Sequence, residues 1–212
     1  MGFAVATALL APRTGSAQWD IGPRLGMYVP LGPMIKEGSI GKPGFTEKNL
    51  AGSAVLGVEA VYRATERLSV AASVAYGPST VAVSDSFGTT DHASGVLLTA
   101  VRLVMPVTST KGMWSMYLGA GAGVVSRFGA EFRYYHGATA PALVASLGVG
   151  TPLYGLGVRK PYPPPRVVMR AEIADYVSRA QFNKGLPTQT TARLHQDVTL
   201  SVLIAVRLGG HR

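Results

Sequence analysis

The strongest constraint on this chain is a two-residue rhythm that restarts again and again between turn-rich connections. The stretch from Asp197 to Leu208 shows it best. Val198, Leu200, Val202, Ile204, Val206 and Leu208 share one parity, while Asp197, Thr199, Ser201, Ala205 and Arg207 share the other. Side chains alternate across a strand, so such a segment meets an apolar medium on one side and a polar one on the other. Eight segments of this kind, with no helical period between them, predict an all-β chain. If the apolar parity faces lipid, the sheet must close on itself, because an open edge would leave backbone groups unpaired. The expected fold is an eight-stranded antiparallel up-and-down transmembrane β-barrel.

Composition agrees. The chain has 212 residues, enough for one domain, with 47% hydrophobic and only 15% charged residues. No run of eighteen apolar residues is present, so an ordinary transmembrane helix is excluded. The 26 glycines and 14 prolines suit many turns, and the lack of cysteine removes disulfides and thiolate metal sites. A net charge of +9 points to an anionic neighbour. The basic residues form no dense run interleaved with aromatics, which argues against nucleic acid and for phosphorylated lipid at a membrane surface.

Residues 1–17 read as an export signal, with an apolar stretch from Phe3 to Ala11 and small residues Gly15, Ser16 and Ala17 before Gln18. The barrel is expected over 18–208, followed by a short tail at 209–212. In the first strand, Trp19 to Pro30, the apolar parity holds Trp19, Ile21, Leu25, Met27 and Val29. Asp20, Gly22, Arg24, Gly26 and Tyr28 face inward. The second strand (51–64) turns Glu59 and Arg63 inward, and the third starts near Leu68 and ends near Tyr76. A long Gly/Pro/Lys-rich loop is expected after the first strand to about Leu50, and a polar loop from Pro78 to about Ser94. The fourth strand turns Arg102 inward, and the fifth runs from Trp114 to Phe128. After a loop with Tyr134, Tyr135 and His136 come strands at 143–153, 167–178 and the terminal one. Connections alternate between long and short, as in barrels with long extracellular loops and short periplasmic turns. Trp19, Tyr62 and Trp114 fall outward near one end, and Tyr76 and Phe128 near the other, as two aromatic girdles would.

In this pattern the chain resembles the small eight-stranded bacterial outer-membrane barrels, such as the transmembrane domain of outer membrane protein A and its relatives. The resemblance runs from Gln18 to Leu208. It is carried by segments such as Val55-Leu-Gly-Val-Glu-Ala-Val-Tyr-Arg63 and Arg170-Ala-Glu-Ile-Ala-Asp-Tyr176. It implies a bacterial outer-membrane location, with lipid (including anionic lipopolysaccharide) and the barrel assembly machinery as partners. The family's terminal strand usually closes on an aromatic residue, whereas this one ends Val206-Arg207-Leu208.

An eight-stranded lumen is only wide enough for side chains to fill. Arg24, Glu59, Arg102, Arg170 and Glu172 count to a similar height, and Arg63, Asp197 and Arg207 also point inward. Unpaired charges cut off from water are costly, so these residues are expected to pair and plug the barrel. Gly119, Gly121, Gly123, Gly148 and Gly150 leave one wall open for the guanidinium groups. Asp175 falls on the lipid parity unless a bulge moves it inward.

Other motifs carry less. Gly119-Ala-Gly-Ala-Gly123 has glycine spacing of a phosphate loop but no helix after it. His92 and Ser94 have the spacing of a nucleophile and base in a lipid-deacylating barrel, without an orienting carboxylate. The four histidines lack metal-ligand spacing, so neither metal nor cofactor is expected. Tyr162 to Pro165 stiffens a turn. The expected role is structural or surface-interacting and non-enzymatic. A narrow porin-like channel, a lipid-modifying enzyme and a soluble lipid-binding barrel stand as alternatives.

Overall fold

The computed structural model describes residues 18–32, 35–37, 46–65, 67–85, 87–108, 114–133, 138–153, 167–180 and 193–208. Residues 1–17, expected as an export signal, Tyr134, Tyr135 and His136, residues 162–165 and residues 209–212 lie outside these residues.

Eight long strands form the ring: β1 (Gln18–Leu31), β4 (Ser53–Arg63), β5 (Ser69–Asp85), β6 (Gly88–Pro106), β7 (Ser115–Gly129), β8 (Thr139–Pro152), β9 (Val167–Ala180) and β10 (Arg193–Leu208). Each pairs antiparallel with the next, and β10 returns to β1 with Trp19 opposite Leu208 and Leu31 opposite Gln196. The sheet therefore has no free edge in its closed part, which is what a strand structure in lipid requires. The end that holds Gln18 and Leu208 is called the lower end below.

The alternating parity sorts as the sequence predicts. Leu25, Leu56, Val101, Leu143 and Leu200 stand exposed on the outer wall, while Asp20, Arg24, Arg102, Asp197 and Thr199 are buried inside. Leu143 is 72% exposed and Arg102 1%, the inverse of a soluble barrel, where leucine would line the core. A band of this kind makes sense only against acyl chains.

Two segments expected as loops contain strand among the described residues. The 78–94 segment is a continuation of β5 and β6, paired from Pro78 opposite Gly95 to Asp85 opposite Gly88. Within 32–50, two short strands, β2 (Ile35–Glu37) and β3 (Thr46–Leu50), pair with each other, and β3 adds to the upper half of β5. The reason is legible afterwards: Val81 and Val83 alternate with Thr80, Ala82 and Ser84, a strand rhythm without the apolar outer face. Above the bilayer the outside is water, so polar residues on that face carry no penalty. Strands of 17 and 19 residues exceed the roughly 9–11 needed to cross a bilayer, and the surplus stands above it.

The interior has two zones. Its upper half is an apolar cluster including Tyr28, Val55, Leu98, Val125, Val144 and Tyr176, all buried. The charges sit mostly beneath it. The expected Arg/Glu pairs share the lumen with this apolar layer. Eight strands leave a bore narrow enough for inward side chains to fill.

Candidate functional site in the barrel lumen

The inward charges fall into three tiers. In the middle tier, Arg24 on β1 and Arg102 on β6 share Glu59 on β4 and Glu172 on β9. Arg24 Nη1 lies 3.1 Å from Glu59 Oε2, and its Nη2 3.1 Å from Glu172 Oε1. Arg102 Nη2 lies 2.7 Å from Glu59 Oε2, and its Nη1 2.5 Å from Glu172 Oε1. Arg24 also donates Nε to Ser201 Oγ at 2.9 Å and Nη2 to Thr199 Oγ1 at 3.3 Å. Two guanidiniums face two carboxylates, so the tier is neutral, and its side chains are at most 6% exposed. Burying four charges is tolerable because each is shared with two opposite ones.

The upper tier lies in the apolar layer. Asp197 accepts a hydrogen bond from Tyr28 Oη at 2.5 Å and an ion pair from Arg127 Nη2. The lower tier gathers three arginines on one acid. Asp20 Oδ2 takes Arg63 Nη2 and Arg170 Nη2, both at 2.8 Å, and Oδ1 takes Arg207 Nε at 3.0 Å.

The sequence-predicted residues are thus distributed over three levels rather than one. Arg24, Glu59, Arg102 and Glu172 meet as a group. Arg170, expected beside them, sits one tier lower with Arg63 and Arg207, because its cross-strand partner on β10 is Leu203 while Glu172 faces Ser201. Asp20 and Arg127 were missing from the expected network. The inward parity of β1 already held Asp20. Arg127 shares the parity of the buried Tyr117 and Val125, a signal that was available on β7. Asp175 stays on the outer face in an unbroken ladder between Ala145 and Val198, accepting a bond from Gln196 Nε2 at 3.4 Å.

The glycine wall also reads differently. A Cβ on Gly148 would enter the Tyr117 ring, so this glycine makes room for an aromatic, not directly for a guanidinium. Arg170 then lies over that ring, 5.8 Å from its centroid. On the outer wall, Trp19 and Tyr62 are in contact across β1 and β4, with centroids 4.9 Å apart. Tyr76 on β5 and Phe128 on β7 stack at 5.9 Å and 5° over the strand between them. Gly95 of β6 lies under both rings, and a Cβ there would press on each at 3.0 Å. Trp114 is exposed at the lower end.

His92 and Ser94 share the inward parity of β6 above the barrel, opposite Val81 and Ser79. Ser94 Oγ has no hydrogen-bond partner among the described residues, so the serine is not bonded to the histidine. No group of three or more His, Cys, Asp or Glu among the described residues could hold a metal ion.

The closed ring and apolar exterior give the chain the fold of the small eight-stranded outer-membrane β-barrels. Among solved structures, the chain is similar to outer membrane protein OprG from Pseudomonas aeruginosa, at 14% identity and a TM-score of 0.58, covering 93% of this chain and 97% of that one. It is also similar to Neisserial surface protein A, at 12% identity and a TM-score of 0.50, covering 91% and 97%. At such identities the likeness is one of fold. No protein-family model and no curated protein sequence matches the chain.

Proposed function

We propose that the protein is an integral, non-enzymatic component of the bacterial outer membrane, exported by its N-terminal segment and serving a structural or surface-interaction role. Its lower end would face the periplasm and the β2–β3 and β5–β6 extensions the outside. The lipid of the membrane, lipopolysaccharide included, and the barrel assembly machinery are its expected partners.

The observation that carries this reading is the middle tier, where Arg102 and Arg24 bridge Glu59 and Glu172 across the bore. With the apolar layer above, it supports a closed lumen: an ion would have to break these pairs and then cross a dry segment. The test has two parts. Folded protein should migrate compactly on a gel until boiled and sediment with membranes. In planar bilayers it should give no sustained single-channel steps. Steady conductance would make it a narrow channel instead. A changed lipid A profile that depends on Ser94 would make it an enzyme.

A further inference from the structure

The lower tier does not balance. Among the described residues, three guanidiniums, of Arg63, Arg170 and Arg207, meet one carboxylate, of Asp20, which leaves two positive charges in excess. The middle tier, one level up, matches two with two. All four lower residues lie on the adjacent strands β4, β1, β10 and β9, so they form one continuous patch of the inner wall. Their side-chain exposure is graded: Asp20 0%, Arg170 11%, Arg207 18% and Arg63 33%. The acid is the floor of the patch and the arginines are its open side, facing the water of the lower mouth.

Each guanidinium has five N–H donors. Among the described contacts, Asp20 engages Nε and Nη2 of Arg63 but a single donor each from Arg170 and Arg207. We propose that the lower mouth is an oxyanion site, in which Asp20 holds three arginines in place for a phosphate-class ligand drawn from the aqueous side. Phosphate fits because guanidinium forks match its oxygens and because two or more negative charges neutralise the excess.

The test uses pyrophosphate as the probe and the full-length barrel in maltoside micelles, which contain no phosphate, at low ionic strength. Calorimetry should show saturable binding. Arg63→Gln with Arg207→Gln should weaken it by about tenfold or more, while Arg133→Gln at the opposite end leaves it unchanged. Arg63→Lys, which keeps charge and loses the fork, provides a second, milder variant with intermediate affinity. Repeating the titration in phosphatidylglycerol nanodiscs separates the sources. Weaker pyrophosphate binding there identifies lipid phosphate as the occupant, and unchanged binding identifies a soluble anion; both support the site. Absence of saturable binding, or equal affinity in the Arg63→Gln/Arg207→Gln protein, overturns it.

Discussion

Arg102 Nη1 and Glu172 Oε1 lie 2.5 Å apart, although β6 and β9 are separated on the barrel wall by β7 and β8. The pair spans the bore, so it ties opposite walls together as no ladder hydrogen bond does. Removing one member leaves a carboxylate buried with less compensation. Arg102→Met is therefore expected to destabilise the barrel by about 3–5 kcal/mol. Arg102→Met combined with Glu172→Gln should cost less than the sum of the single changes. Urea unfolding of the refolded barrel, run as a double-mutant cycle, reads this coupling. Strict additivity would mean that the two side chains do not interact.

The proposed closure of the lumen would have two independent causes, and they can be separated. Replacing Arg102 and Glu172 together by serine removes part of the middle tier but leaves Tyr28, Val55, Leu98, Val125 and Tyr176 in place above it. Such a protein should remain silent in planar bilayers. Trimming Leu98 and Val125 to serine in the same background should admit water and yield small conductance steps. Conductance after the first pair of changes alone would show that the apolar layer does not seal.

Gly148 sits under the Tyr117 ring, and an added methyl group has to displace it. Gly148→Ala should cost about 1–3 kcal/mol in the native protein. In a Tyr117→Ala background the same change should be close to neutral, because the obstruction is gone. Equal costs in both backgrounds would place the strain elsewhere, in the wall itself.

The outer wall carries its own prediction. Val101→Arg, at mid-height on the exposed face, should destabilise the folded barrel by about 2–4 kcal/mol in lipid. Trp114→Arg, near the lower rim, should cost about 1 kcal/mol or less. The two tryptophans, Trp19 and Trp114, should also be quenched more by bromines placed near the headgroups than by bromines at the acyl-chain ends. The opposite order would remove them from the interface.

Gly95 lets Tyr76 and Phe128 close over β6. Gly95→Val should part the rings and expose the backbone they cover. Faster amide exchange at Val96 and Leu97, with the lower half of the barrel unchanged, would register the loss.

How far the chain could be read in advance follows from the range of each signal. The side of the wall that every barrel residue faces is set by a period of two, which is local, and so Leu25, Val101 and Leu200 could be placed outside and Arg24, Glu59 and Glu172 inside from the residues alone. The extension of β5 and β6 was hidden because its outer face, in water, carries Thr80, Ala82 and Ser84 in place of an apolar stripe. Which charges meet was equally hidden. Height along a strand depends on register, and register on how each strand slides against its neighbours when the ring closes. Closure put Arg170 beside Asp20 instead of Glu59, and brought Arg127 from β7 to Asp197 on β10. Alternation along one strand determined the lining of the bore; the shear of eight strands, a property of no single segment, decided the partners within it.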